Sequence, residues 1–206
     1  SGPSLPVVRL GGSHSCVALT NGRLHCWGNN ASGQIGDGAQ ADRVRPVRIQ
    51  AATRLQYLHL GLGSTCIITA ERQVKCWGSN VHGQLGDGTR QNRVTPTLVP
   101  NLTEVVEVNV RESHACAIVG QGVVKCWGDN EFGQLGDAST TDSLSPVEVI
   151  QIDQAVQLAL GDAQGCVLLR GGDVKCWGAN DFGETGHGDS DTDDVTSPWD
   201  WERASD

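Results

Sequence analysis

The eight cysteines are the residues of this chain best placed to do chemistry, and their spacing narrows what that chemistry is. Cys16, Cys66, Cys116 and Cys166 recur every fifty residues, and Cys26, Cys76, Cys126 and Cys176 follow each of them by ten. Thiols in such an arrangement could hold zinc, act as nucleophiles or form disulfides. Zinc is disfavoured because no C-x-x-C pair occurs, and His14 and His25 lack a matching histidine in every copy. A catalytic nucleophile would not recur fourfold. The regular spacing instead predicts four disulfides: Cys16 with Cys26, Cys66 with Cys76, Cys116 with Cys126, and Cys166 with Cys176. Each would close a short loop, worth roughly 2–3 kcal/mol by chain entropy. Persistent disulfides imply an oxidising compartment, so a secreted, cell-surface or periplasmic location is expected.

Other chemistry is sparse. The chain has no G-x-S-x-G elbow, no H-E-x-x-H and no phosphate-cradling G-x-x-x-x-G-K-[ST], so no catalytic residue is assigned and no enzyme is expected. His14 and His114 share one repeat position, but Ser64 and Gln164 stand there in the other copies. A histidine at that position is expected to bond backbone within its own unit. Asp189, Asp191 and Asp193 alternate, and Asp200 is twelfth counting from Asp189, which imitates the spacing of a calcium loop. Asp194 occupies the sixth place, where such a loop needs glycine, and a solvated acidic loop is the stronger reading. No other cofactor is implied. Asn30 and Asn101 begin the sequons Asn-Ala-Ser and Asn-Leu-Thr.

The elements that position these residues are short strands. Gly is abundant, aromatic content is 4%, and helical three-four periodicity is weak. No apolar run is long enough to span a membrane. In the third copy, Val105 to Val110, Ala115 to Val119, Val123 to Trp127 and Pro146 to Ile150 read as four strands. Four strands in about fifty residues is the scale of a propeller blade. The chain is one repeat domain, residues 1–206, with copies at approximately 8–57, 58–107, 108–157 and 158–206. If Thr20-Asn21-Gly22 is a three-residue hairpin loop with Gly22 left-handed, Ala18 faces Leu24 and Cys16 faces Cys26. That cysteine pair falls on a non-hydrogen-bonded site, with Cα atoms roughly 4.5 Å apart, where a disulfide fits. Arg72 replaces the turn glycine in the second copy, so that turn is expected to be strained or different.

After each second cysteine comes Trp-Gly: Trp27, Trp77, Trp127 and Trp177. These tryptophans are expected at blade edges with the indole N–H on a carbonyl. The segments that follow read GNNASGQIGDG from Gly28, GSNVHGQLGDG from Gly78, GDNEFGQLGDA from Gly128 and GANDFGETGHG from Gly178. Their fourfold recurrence argues for structure, with Gln34, Gln84 and Gln134 expected to satisfy backbone between blades. Trp199 and Trp201 fall outside the fifty-residue register and are read as a cap or a contact surface.

These features, as in SHACAIVGQGVVKCWGDNEFGQLGD from Ser113, strongly resemble the regulator-of-chromosome-condensation repeat family over nearly the whole chain. The paired cysteines resemble a bacterial, secreted branch of it. The resemblance implies four-stranded propeller blades, rings of seven in the best-known members, and roles in protein–protein recognition. Guanine-nucleotide exchange is not carried over, since no basic nuclear-targeting tail is visible and disulfides would not survive in a nucleus. The fold expected is therefore all-β: a propeller-type array of four four-stranded blades, either an open arc or a closed four-bladed ring.

Charge adds one asymmetry. The net charge is −9, yet the four copies in order carry +4, 0, −5 and −8. The total disfavours nucleic acid as a partner. The gradient would favour head-to-tail self-association of an arc, bringing Arg43, Arg45 or Arg48 of the first copy towards the aspartates of the last. The function expected is a non-enzymatic extracellular scaffold for a protein partner or for self-association. A carbohydrate-binding module is the alternative, and a hydrolase or lyase stands behind both.

Overall fold

The computed structural model describes residues 6–52, 55–186 and 194–201, with Asp200 and Trp201 described by backbone alone. Among these residues each copy forms one antiparallel sheet of four strands in chain order. The first sheet holds β1 (Val7–Leu10), β2 (His14–Ala18), β3 (Leu24–Gly28) and β4 (Arg43–Arg48). The second holds β5 (Leu55–Leu60), β6 (Ser64–Thr69), β7 (Val74–Gly78) and β8 (Arg93–Leu98). The third holds β9 (Val105–Val110), β10 (His114–Val119), β11 (Val123–Gly128) and β12 (Ser143–Glu148). The fourth holds β13 (Ala155–Leu160), β14 (Gln164–Leu169), β15 (Val174–Gly178) and β16 (Val195–Trp201). The repeat limits read at residues 58, 108 and 158 thus fall inside first strands. β12 also begins three residues earlier than residue preference suggested and ends at Glu148. The cause is a bulge that pairs Gly128 with Ser143, while Ile150 N–H leaves the sheet to donate to Gly136 O at 3.0 Å.

The hairpin register is the one that the turn dictates. Cys16 pairs with Cys26 and Ala18 with Leu24, and Leu19 N–H donates to Arg23 O at 2.9 Å. Cα separations across the four disulfides are 4.1, 4.2, 4.0 and 4.1 Å in chain order. Gly22 takes φ 72°, and Arg72 takes φ 56° with the same donor–acceptor pattern. The second turn is therefore not a different turn. It is the same one, forced on a residue with a Cβ.

Burial alternates along β2 of the first blade, whereas β6 and β10 are buried on both faces because each lies between two neighbouring blades, and the disulfide face of each of the first three blades meets the next blade. Cys16, Ala18, Leu24 and Cys26 of the first sheet pack with Leu58, Leu60, Ile67 and Trp77 of the second. Cys66, Ile68, Val74 and Cys76 repeat the contact against Val108, Val110, Ala115, Ala117 and Trp127. Cys116, Ile118, Val124 and Cys126 meet Leu158, Leu160, Val167 and Trp177. The core is thus three successive joints rather than one interior, as expected of a repeat array. First strands of neighbouring blades lie against one another, β1 on β5, β5 on β9 and β9 on β13, which makes them the hub. The two terminal faces stay open, with Leu10 73% and Trp199 44% exposed. The array is an open arc, and the closed four-bladed ring is set aside.

Candidate functional site

The loop after each Trp-Gly is built around its asparagine. Asn30 is fully buried; its Nδ2 donates to Asp37 Oδ1 (3.3 Å), Ala39 O (3.0 Å) and Ala41 O (3.1 Å), while its Oδ1 accepts Ile35 N–H (3.0 Å). Asn80 and Asn130 repeat the pattern. With its amide spent on three acceptors, Asn30 is closed to modification, whereas Asn101 is exposed on a turn at φ 61°. The loop aspartate also recruits a strand arginine: Arg43 Nε donates to Asp37, and Arg93 Nε to Asp87. Arg43 therefore clamps its own blade, leaving exposed Arg45 and Arg48 as the outward charges of β4.

The glutamines bridge blades by a different atom than expected. Gln34 and Gln134 turn their side chains inward to their own loops, on Asn29 and Ser32 and on Asp129 and Phe132. Only Gln84 reaches onward by side chain, donating to Glu112 O at 2.8 Å. The general bridge is the main-chain carbonyl. Trp77, Trp127 and Trp177 Nε1–H donate to Gln34, Gln84 and Gln134 O at 3.0, 2.8 and 2.9 Å. Each joint thus has a male side, the tryptophan and hub-strand apolar residues, and a female side, the disulfide face and loop carbonyl. Each loop glycine also lies on the next fourth strand: a Cβ at Gly33 would meet Val94, at Gly83 Leu144, and at Gly133 Thr196.

At the ends these halves are unmatched. Trp27 is only partly buried, and among the described residues its indole N–H has no partner. Val44, the counterpart of Val94, is 94% exposed, and in the fourth blade Phe182 beside Gly183 is 92% exposed. Trp199 is not outside the repeat after all. It pairs with Cys176, the place held by Val47, Thr97 and Val147 in the other blades. The backbone of Trp201 pairs with Val174, the place at which Ile49, Val99 and Val149 donate to the third strand. A longer preceding loop shifts both by two in the count and leaves their register intact. Asp189, Asp191 and Asp193 lie outside the described residues, and the Asp200 backbone, on β16, pairs with Lys175 of β15.

The paired histidines also work at joints, not within their own blades. His14 Nε2 shares a hydrogen with Thr65 Oγ1 of the next blade at 2.8 Å. In the fourth blade Gly165 holds the position of Thr65, so His114 has no such hydroxyl, and neither of its nitrogens has a partner among the described residues. Burial lowers the pKa of His14 to about 4, and burial with the nearby Arg111 charge does the same for His114.

A second polar assembly, not foreseen from the sequence, lines the hub. His59 Nδ1 accepts Val110 N–H at 3.2 Å, and Asn109 Nδ2 donates to Leu158 O at 2.7 Å, so each bridges to the next first strand. Glu107 accepts from Asn109 Nδ2 and Leu158 N–H, with Tyr57 Oη–H at 3.5 Å. Arg111 Nε donates to Leu160 O at 2.7 Å. Burial, then the Arg111 and Arg9 charges, lower the His59 pKa to about 4; burial and then Glu107 push Tyr57 up to about 12; burial raises Glu107. His59, Asn109, Arg111, Leu158, Ala159 and Leu160 line an open recess of about 180 Å³. The available signal was a broken repeat: Arg111 stands where Gly11, Gly61 and Gly161 hold the other copies.

Comparison with known proteins agrees with this architecture. The regulator of chromosome condensation (RCC1) repeat matches residues 8–34, 60–84, 111–134 and 155–184, more than half of the chain, and a second RCC1 repeat profile matches 73–118. Human WBSCR16 superposes with TM-score 0.82 at 20% identity, over 94% of this chain and 52% of its own. Prp20p from Saccharomyces cerevisiae, whose structure was described together with its binding to Gsp1p and histones, gives 0.82 at 17%, over 96% and 50%. Yeast RCC1 (Prp20) bound to Kap60 gives 0.82 at 16%, over 96% and 48%. The chain therefore spans about half the length of these structures. A search of curated proteins finds no match. By its repeats and its blades, this chain belongs to the regulator of chromosome condensation (RCC1) repeat family.

Proposed function

We propose that this blade array is a non-enzymatic, extracellular scaffold for protein recognition, whose terminal faces bind blades of the same repeat class. The observation that carries the reading is the unmatched joint: Trp27 and Val44 present a male half, and the fourth disulfide face with Trp199 presents a female half. In the isolated chain the complementary blade comes from a second copy, head to tail. The +4 first repeat and −8 fourth repeat favour that orientation and oppose head-to-head contact. Such a contact either closes a ring or propagates. The four disulfides support an oxidising, extracellular setting. The carbohydrate-binding alternative draws on exposed Trp199, but its joint position accounts for that exposure without a glycan.

Size-exclusion chromatography with light scattering, at low and high salt, tests the assembly. The expectation is species above 21.8 kDa that dissociate with salt and with Trp27→Ala or Val44→Glu. A compact 21.8 kDa monomer under every condition would overturn it.

A further inference from the structure

The hub recess has donors to spare. His59 uses Nδ1 as an acceptor for Val110 N–H, so the neutral ring carries its proton on Nε2. Arg111 spends Nε on Leu160 O, and among the described residues its two terminal nitrogens have no partner. That single bond fixes the plane of the guanidinium while leaving its forked edge free. Asn109 donates to Leu158 O and Glu107, so it braces the wall and adds no free N–H pair. The floor is the β13 main chain with the exposed Ala159 methyl, since the Leu158 and Leu160 side chains are buried in the joint with the third blade. Glu107, the acid held in this assembly, already accepts Leu158 N–H and Asn109 Nδ2. The Arg111 and Arg9 charges both act on His59, in a chain whose net charge is −9.

We infer that this recess binds a carboxylate on a short aliphatic stem, the oxygens on the Arg111 terminal nitrogens and His59 Nε2–H, and the stem against the Ala159 methyl and the β13 main chain. A forked guanidinium matches a carboxylate bidentately, and an adjacent neutral donor adds a third bond. The size of the recess, about 180 Å³, suits a glutamate-like side chain. This inference is separate from the blade-end reading, because the recess lies on the hub between the second, third and fourth blades.

The same chemistry could arrive as a glutamate of a protein partner or as a free acid, and the experiment separates the two. Amide chemical shifts of the isotopically labelled chain would be followed against N-acetylglutamate N-methylamide, free glutarate and, as control, N-acetylglutamine N-methylamide. Saturable shifts at His59, Asn109 and Leu158–Leu160 with an acid, absent with the amide, are expected; the stronger acid identifies the source. Arg111→Gly restores the residue that the other three copies use, so the turn is retained. It should weaken binding roughly tenfold or more, and Arg111→Lys should recover only part of that loss. Equal binding by Arg111→Gly, or equal shifts from acid and amide, would overturn the inference, as would the absence of shifts with either acid.

Discussion

Acidification should expose the cost of burying His114 without a partner, and replacing that residue with the repeat's own alternative isolates the effect. His114 is fully buried, its pKa is held near 4, and Gln164 occupies the same position in the fourth blade. The folded pKa lies below the unfolded value of about 6.5, so this histidine leaves stability intact above that pH. Below it, the unfolded chain gains a proton that the folded chain refuses. Stability then falls by roughly 1.4 kcal/mol per pH unit until about pH 4, where the folded state also protonates. Between pH 7.5 and 4.5 the integrated loss from this one residue is roughly 2–3 kcal/mol. Urea unfolding of the oxidised protein and of His114→Gln at both values measures it. The variant's stability relative to the parent should rise by roughly 2–3 kcal/mol on acidification, whatever the offset at pH 7.5. Parallel losses in the two proteins would refute the argument, because they would mean that His114 titrates alike in both states.

Two further outcomes follow from particular residues. Arg72→Gly, which relieves φ 56° at a turn where Gly22 and Gly172 serve elsewhere, should raise stability by roughly 0.5–1 kcal/mol in denaturant melts, the strain outweighing the added chain entropy. Trp127→Phe should cost more than about 1 kcal/mol, since Gln84 O loses a buried donor. Trp27→Phe, in an open joint half, should cost much less in the monomer, and similar losses would contradict the assignment of the joints.

Much of a blade was legible because its defining contacts are local. Cys16 and Cys26, Ala18 and Leu24, and the left-handed Gly22 lie within eleven residues of chain, and turn geometry fixes their pairing wherever the motif recurs. The same logic anticipated an indole N–H on a carbonyl, though not which one. Arg72 shows the limit even of local reading: residue preference left a strained or a different turn open, and the sheet on either side imposed the repeat's own turn on a residue with a Cβ.

What only the tertiary structure decided are contacts spanning 43 to 51 residues, as in Trp77 to Gln34, His14 to Thr65 and Val110 to His59. These depend on how one sheet is rotated against the next, which no period in the sequence encodes. Hence the expected side-chain bridge holds at Gln84 alone, the main-chain carbonyl serving all three joints, and Trp199 keeps the repeat's register behind a longer loop. Arg111 was visible as a departure from glycine, yet its meaning waited on the hub, where three first strands bring its guanidinium beside His59. Periodic residues determined the blade; the angle between blades, set by side chains packing across each joint, determined which faces are buried, which remain open and where polar groups converge.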